Sequence, residues 1–306
     1  GTCRRQRQMC IRDSLNIDDL FIDLFQKQIP FKLTSSQKKC IEEIYNDIKK
    51  ASPMKRLLQG DVGSGKTIVA AAAVTATIKN NKQAALMAPT EVLAEQHLMS
   101  FKKYLEYFNI DIHLLTSSVK DRGNIYEMID RGDPVLIIGT HALIQDKVNF
   151  NNLGLAIIDE QQRFGVEQRK KLVDNDDFTP HQLVMTATPI PRTTALAIYG
   201  DLELSVIDEL PPGRKKIKSR VLSGGKRDNK EVYETAYEHL KNDSQIFVVC
   251  PYIEESENSD IKAAENVFKL YRSEFKDYKV DLLHGKMKPE EKELKMLQMQ
   301  NGEIDI

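Results

Sequence analysis

The sequence has no tryptophan, only four cysteines in 306 residues, and no long apolar run. The cysteines form neither a Cys-x-x-Cys pair nor a Cys/His cluster, which argues against a disulfide framework or a zinc site and predicts a reduced, cytoplasmic setting. The longest apolar run covers residues 68–74, whereas a membrane helix needs roughly 18 apolar residues. We therefore expect a soluble protein with no membrane partner.

An excess of one charge is also missing, since 44 Lys and Arg residues face 45 Asp and Glu residues. No chain-wide basic field attracts nucleic acid, so a nucleic-acid site must be a local groove. The length, at about 150 residues per domain, predicts two domains. Four arginines within residues 1–14 accompany no apolar core. We expect residues 1–28 to be a disordered or foreign leader, with a phosphate-binding tail as the alternative.

Short apolar runs alternate with helical patterns from Leu33 onward, which is typical of βαβ units around a parallel sheet and predicts the α/β class. Thr34 and Gln37 have capping-box spacing and predict a first helix that ends near residues 52–53. Most strand candidates are continuous apolar runs, as in strands buried on both faces. They cover residues 56–59, 83–88, 112–115, 135–139, 155–159 and 182–186.

The pattern breaks near Asp208, because Pro211, Pro212 and Gly213 stop regular structure. A basic run at residues 214–220 follows, which is interpreted as a solvated linker or, alternatively, as a contact to the DNA backbone. The expected division is residues 29–207 for the first domain, 208–220 for the linker and 221–306 for the second domain.

The second domain is expected to have an α/β pattern of its own. Its predicted helices cover residues 229–241, 261–275 and 289–300, and its predicted strands cover residues 245–250 and 279–283. Residues 303–306 have the character of the first half of another strand, and a parallel sheet rarely ends there. We therefore expect this domain to be incomplete.

The strongest chemical signal lies at residues 60–67, which fit the phosphate-loop pattern GxxxxGK[ST] between a strand and a helix. Backbone N–H groups of such a loop surround phosphate oxygens, and glycine leaves room for this approach. Lys66 supplies a positive charge, and the Thr67 hydroxyl is suited to Mg²⁺. The pattern predicts an ATP and Mg²⁺ site whose loop residues are Gly60, Gly63, Ser64, Gly65, Lys66 and Thr67.

Two acidic residues, Asp159 and Glu160, follow the apolar run at residues 155–158. They are expected at the carboxyl edge of a parallel strand, where open α/β sheets bind ligands. We predict that Asp159 belongs to the metal shell and that Glu160 activates the attacking water. The alternative is a pair of acidic residues that only cap an element.

Six sequence blocks resemble the bacterial RecG helicases, which are superfamily 2 translocases. The resemblance covers about residues 29–306, and the transcription-repair coupling translocases are the nearest alternative because they share three similar blocks. Ser64 and the lead-in LLQGDV favour RecG. The blocks are RLLQGDVGSGKT (56–67), MAPTEVLAEQH (87–97), IGTHALIQ (138–145), IIDEQQRFGVEQR (157–169), MTATPIPRT (185–193) and DELPPGRK (208–215).

The resemblance implies tandem RecA-like domains and an ATP-dependent helicase that acts on branched DNA, such as stalled forks and Holliday junctions, in recombination and repair. It implies a monomer in which Phe31 stacks on adenine and Gln37 reads the edge of the base. A helix cap is the alternative role of Gln37. A second hypothesis is a nucleotide- and DNA-binding module without turnover, because further arginine-bearing motifs are expected beyond residue 306.

The resemblance further implies that Thr90 and Thr140 line a DNA groove, with helix N-caps as the alternative. Thr186 and Thr188 resemble a coupling motif between ATP and DNA, with threonines satisfied by a local turn as the alternative. One position departs from the family, because Gln162 stands where DEQH has histidine. Glutamine cannot become charged, which puts imidazole-specific coupling in doubt.

Overall fold

The computed structural model describes residues 15, 21–119, 122–145, 147–160, 172, 179–188, 202–209, 217–223, 226–250 and 257–306. The chain divides into two compact units, residues 1–215 and 216–306. No helix in these described ranges is long and apolar enough to cross a membrane.

The first unit is built on a parallel sheet, which has seven strands in the described ranges. The strands are β1 (Lys55–Gly60), β2 (Gln83–Met87), β3 (Asp111–Leu115), β4 (Val135–Gly139), β5 (Leu153–Asp159), β6 (His181–Thr186) and β7 (Glu203–Ile207). Their spatial order is β3-β4-β2-β5-β6-β1-β7. All six predicted strands are confirmed. The strand β7 was not predicted, because this edge strand alternates exposed and buried residues and has no continuous apolar run.

Helices cover both faces of this sheet. They are α1 (Phe21–Gln28), α2 (Ser35–Ile48), α3 (Lys66–Lys79), α4 (Glu91–Leu105) and α5 (Gly123–Arg131), with short 3₁₀ turns at Glu106–Phe108 and His141–Ile144. One core cluster contains α1 to α4, and a second contains α5 and the His141–Ile144 turn. The alanine-rich helix α3 is buried from Ile68 to Ile78, which its small side chains permit.

The predicted start of α2 is confirmed. The Thr34 side chain accepts a hydrogen bond from the Gln37 N–H, and the Gln37 side chain accepts one from the Thr34 N–H. The helix ends at Ile48, a few residues before the predicted end at 52–53.

Residues 21–28 were expected to lie outside the fold, and for them this expectation is wrong. They form the amphipathic helix α1, in which Phe25 is fully buried and stacks on Phe108 with ring centroids 5.4 Å apart. Leu15 also donates its N–H to the Ile48 carbonyl at 3.2 Å. The helix was not predicted because it is short, and its apolar residues are the only feature that separates it from the arginine-containing residues 1–14.

The predicted linker begins at Asp208, yet its first two residues are bound to the start of α2. Asp208 Oδ1 accepts a hydrogen bond from Ser36 Oγ at 2.7 Å, and Glu209 Oε1 accepts one from Ser35 Oγ at 2.6 Å. These carboxylates lie at the positive N-terminus of a helix, where they are favourable. They therefore belong with the first unit, and residues 210–216 lie outside the described residues.

The second unit contains the three predicted helices, here α6 (Lys226–Leu240), α7 (Glu257–Glu274) and α8 (Pro289–Gln300). The strands predicted in it are wrong, because residues 226–250 and 257–306 contain no strand. Those segments make isolated backbone bonds: Ile246 donates to Asp305, and Asp305 donates to Lys279, both at 2.9 Å. Asp305 and Ile306 are the residues of segment 303–306 that share these backbone bonds with segments 245–250 and 279–283. Bonds to two residues are too few to form a strand ladder.

Candidate nucleotide site

Three neighbouring strands end at one edge of the sheet of the first unit. β6 lies between β1 and β5, and all three are parallel. Their last residues are Gly60, Thr186 and Asp159. The topology therefore brings the phosphate loop, the acidic pair and the Thr186–Thr188 segment together at the carboxyl edge, where open α/β sheets bind ligands.

The phosphate loop depends on glycine at two positions. Gly63 and Gly65 have φ angles of 76° and 93°, in the left-handed region that glycine enters without strain. Gly65 is also the N-cap of α3, and a Cβ there would collide with the side-chain amide of Gln37. The backbone of residues 63–65 is thus open to a ligand at the N-terminus of a helix, a position that favours anions.

Lys66 is half-buried and lies on the loop. Its Nζ donates to the Gly60 carbonyl at 2.7 Å and to the Asp61 carbonyl at 3.1 Å. Burial lowers the pKa of Lys66, while the charges of Asp159 and Glu160 act in the opposite direction. The lysine is therefore within electrostatic reach of both acidic residues, as the sequence analysis expected of a shared site.

The hydroxyl of Ser64 is another feature of the loop. Ser64 is fully buried, and its Oγ has no hydrogen-bond partner within the described part of the chain. A Cβ at Gly60 would lie only 2.5 Å from this oxygen, so glycine at position 60 leaves the serine its place.

Glu160 lies just beyond β5 in an uncommon conformation, with φ of 48°. Its Oε1 accepts a hydrogen bond from the Ala187 N–H at 3.1 Å, and its Oε2 lies 3.5 Å from Thr186 Oγ1. A non-glycine residue in the left-handed region is uncommon and is found at functional sites. The carboxylate is thus held by the segment that follows β6.

Thr186 and Thr188 form a local turn beside Glu160. Their hydroxyls lie 2.9 Å apart, and the Thr188 N–H donates to Thr186 Oγ1 at 3.2 Å, which is a local turn. Thr186 is buried and also faces Glu160, whereas Thr188 is exposed. The turn interpretation is therefore confirmed, and the coupling role stays a prediction.

One neighbour of the acidic pair was not predicted from the sequence. His97 Nε2 of α4 lies 2.7 Å from Asp159 Oδ2, and both side chains are almost buried. His97 is the last residue of the block MAPTEVLAEQH, so its position in a resemblance block was the only available signal.

Gln37 makes two contacts that occupy its side-chain amide. Oε1 accepts from the Thr34 N–H at 3.0 Å, and Nε2 donates to the Ser64 carbonyl at 2.8 Å. The helix-cap interpretation is confirmed, and the amide also reaches the phosphate loop. Phe31 is 40% exposed and packs edge-to-face on Tyr104 with centroids 5.9 Å apart. Adenine contact by Phe31 and Gln37 stays a prediction.

The candidate DNA contacts have different surroundings. Thr90 is exposed, and its side chain accepts from the Leu93 N–H at 3.3 Å, which confirms the N-cap interpretation. Thr140 is only 2% exposed, and its hydroxyl has no partner among the described residues and does not cap the turn that follows. The DNA contact at Thr140 stays a prediction. Gln162 lies outside the described residues.

Comparison with known proteins decides the family. The DEAD/DEAH box helicase family matches residues 34–196, more than half of the 306 residues. The chain belongs to the DEAD/DEAH box helicase family. The matched region begins at the cap of α2 and includes the phosphate loop, the acidic pair and the Thr186–Thr188 segment.

Within this helicase family, the resemblance to RecG is confirmed. The chain is 46% identical over 295 residues to the ATP-dependent DNA helicase RecG of Aquifex aeolicus, covering 95% of this chain and 37% of that protein. It is 43% identical over 305 residues to RecG of Bacillus subtilis, covering 99% and 44%. The chain thus spans about two fifths of the length of these curated relatives.

A solved structure of RecG bound to a three-way DNA junction is similar to this chain, with a TM-score of 0.81 and 39% identity. The match covers 96% of this chain and 38% of that one. This similarity confirms the predicted RecA-like α/β class.

The residues at the sheet edge fit Mg²⁺ bound together with a nucleotide. Thr67 and Asp159 offer oxygen donors, which are the ligands that Mg²⁺ prefers. Among the described residues, no group of three or more His, Cys, Asp or Glu side chains forms a complete metal cage. In nucleotide sites, Mg²⁺ is usually held by one or two carboxylates together with substrate phosphates.

Proposed function

We propose that this chain is the ATP-hydrolysing part of a RecG-type DNA helicase that acts on branched DNA, such as stalled forks and Holliday junctions, in recombination and repair. The observation that supports this most is the meeting of Lys66 and the Asp159–Glu160 pair at one sheet edge, in a chain with 46% identity to a RecG helicase. We further propose a cytoplasmic monomer whose cofactors are ATP and Mg²⁺.

In this proposal, the residues of the site divide the work of phosphoryl transfer. The backbone N–H groups of the loop and the Lys66 ammonium bind the phosphates. Thr67 and Asp159 would hold Mg²⁺, which would supply positive charge to the phosphate oxygens. Glu160 orients the attacking water and accepts its proton. The hydrogen bond from the Ala187 N–H keeps the Glu160 carboxylate pointed in one direction.

Coupling to DNA would use the contacts of Glu160. The Thr186–Thr188 segment contacts Glu160 through Thr186 and ends in the exposed Thr188. A movement of Glu160 during hydrolysis would therefore shift Thr188, and DNA bound at Thr188 would shift Glu160. Thr90, exposed at the start of α4, is a second candidate for contact with phosphates of the DNA backbone. Such contacts are independent of base sequence.

Steady-state ATP hydrolysis with and without forked DNA tests the proposal. The chain is expected to hydrolyse ATP, and Glu160→Gln is expected to bind ATP normally while losing about 10²–10⁴-fold in rate, because the base is lost and the geometry is kept. Equal rates for Glu160→Gln and the parent would remove Glu160 from the mechanism. ATP binding without hydrolysis on any DNA would identify the alternative, a binding module without turnover.

A further inference from the structure

The carboxylate of Asp159 is held by a histidine from a different element. His97 Nε2 lies 2.7 Å from Asp159 Oδ2, and the two side chains are 11% and 12% exposed. Because an ionised carboxylate only accepts, the imidazole donates its Nε2 hydrogen in this pair. Hydrogen bonds to ionised acceptors are shorter and stronger than neutral ones.

We propose that His97 is a positioning residue, which fixes the Asp159 carboxylate in the orientation needed to hold Mg²⁺ with a nucleotide. The inference rests on the proposed function and goes beyond it, because the motif that carries Asp159 does not contain His97. Where the RecG pattern has a histidine in that motif, this chain has Gln162, and the imidazole that touches the acidic pair comes from α4.

Both partners are attached to rigid elements, as a positioning pair requires. Asp159 is the last residue of β5 and lies opposite Met185 of β6 in the sheet. His97 packs on Phe101, one turn further along α4, with ring centroids 6.4 Å apart. Phe101 is itself fully buried, so the imidazole ring has a fixed support.

The charges of Asp159 and Lys66 attract each other. A direct ion pair between them would use the carboxylate that Mg²⁺ needs. With Oδ2 bound to His97, the carboxylate has one preferred rotation and Oδ1 stays available as a ligand. Lys66 Nζ instead rests on the Gly60 and Asp61 carbonyls. Groups that orient a metal ligand in this way are typically worth about 10–100-fold in metal affinity or activity.

The test is a Mg²⁺ titration of the intact chain in the presence of a fluorescent ATP analogue, with nucleotide affinity also measured in EDTA. Three variants of His97 form a matched series. In Gln, Nε2 occupies nearly the position of the imidazole Nε2; in Asn, the amide is too short to reach Asp159; and Leu has no donor. His239→Leu on the exposed surface of α6 is the control.

We expect His97→Leu and His97→Asn to raise the Mg²⁺ midpoint by about 10–100-fold. Their nucleotide affinity in EDTA should stay within about twofold of the parent, and His97→Gln should restore most of the Mg²⁺ response. An unchanged midpoint in His97→Asn would overturn the inference, as would an equal loss of affinity with and without Mg²⁺ in all three variants. A parent chain that binds no nucleotide in either condition would instead overturn the proposed function.

Discussion

The two units differ in how their backbones are held. In the first unit, six pairs of neighbouring parallel strands are hydrogen-bonded along their length, and β2, β4 and β5 are buried along their whole length. In the described part of the second unit, three segments share a few backbone bonds, and the core cluster has four buried residues, Ala236, Leu240, Phe275 and Ile306. The apolar residues Phe247 and Val249 of the second unit remain 70% and 87% exposed.

This difference explains where chemistry is possible. The candidate nucleotide site takes its groups from three different strand ends and two helices, and their distances are fixed because the strands are paired. A site of this kind needs positions accurate to about 0.5 Å, which rigid elements provide. The contrast predicts that equivalent substitutions in the two units have unequal effects.

The largest expected contrast concerns two arginines. Arg56 is buried and forms ion pairs with Asp47 at 2.6 Å and Glu203 at 2.7 Å, which join α2, β1 and β7. Arg220 pairs with Glu231 at 2.9 Å, and both are exposed. Arg56→Met should destabilise the first unit by up to about 3–5 kcal/mol, because the buried Asp47 then keeps only its ion pair with the exposed Lys50. Arg220→Met should cost about 0–1 kcal/mol.

Urea unfolding measured by hydrogen exchange in peptides of each unit would give both free energies. Equal losses for Arg56→Met and Arg220→Met would contradict the view that the network of Arg56 fixes the edge of the sheet.

The next contrast concerns two leucines. Leu58 of β1 is fully buried, whereas Leu270 of α7 is 58% exposed. Leu58→Ala should cost about 2–5 kcal/mol, through lost burial and the cavity that it leaves. Leu270→Ala should stay within about 0.5 kcal/mol of the parent. The same exchange experiment measures both free energies, and a large effect of Leu270→Ala would contradict the exposed position of this side chain.

A smaller contrast concerns two helix starts. Thr34 caps α2 with its side chain, whereas Lys288, at the same position of α8, makes no such hydrogen bond. Thr34→Ala should destabilise the first unit by about 1 kcal/mol. Lys288→Ala should leave the stability of the second unit unchanged. Thermal melts followed by circular dichroism report the shift, and equal melting temperatures for Thr34→Ala and the parent would contradict a stabilising cap.

The smallest expected effect is on the stability of the first unit at acidic pH. Hydrogen bonds from Ser36 and Ser35 lower the pKa of Asp208 and Glu209, respectively. A lowered pKa in the folded state gives stability that is present above the ordinary pKa values of about 4 and is lost as the pH falls through the folded-state values. The double variant Ser35→Ala, Ser36→Ala should therefore lose less stability between pH 6 and pH 3 than the parent. Ser273→Ala in α7 is the control, and an identical pH profile in parent and double variant would refute the contact.

Much of the first unit was predictable, because its signals are local. The capping box of Thr34 and Gln37, the phosphate loop and five-residue apolar runs such as Val135–Gly139 each specify their own structure. The edge strand β7 was missed because its alternating pattern is short. The prediction of strands in the second unit was wrong, because a strand forms only when neighbouring segments pair with its backbone. A short apolar segment does not reveal whether such segments lie beside it.

The candidate site divides in the same way. Asp159 and Glu160 were found from their place after an apolar run, but the hydrogen bond between His97 and Asp159 joins residues that are 62 positions apart. No spacing rule connects such residues, because the contact arises from the packing of α4 on the sheet. The burial of Thr140 was equally hidden, since a threonine after a strand has the same local pattern whether it is exposed or covered.

The central claim is that the phosphate loop at the edge of the sheet binds ATP. Calorimetric titration of ATP with Mg²⁺ into the parent, Lys66→Ala and Lys55→Ala tests it most directly. Lys55 is the control because it is an exposed lysine at the start of β1, and the phosphate loop follows the other end of that strand. Lys66→Ala should weaken binding by about 30-fold or more, because it removes a partly buried charge that would pair with phosphate, whereas Lys55→Ala should bind as the parent does. Unchanged ATP affinity in a folded Lys66→Ala variant would contradict the account.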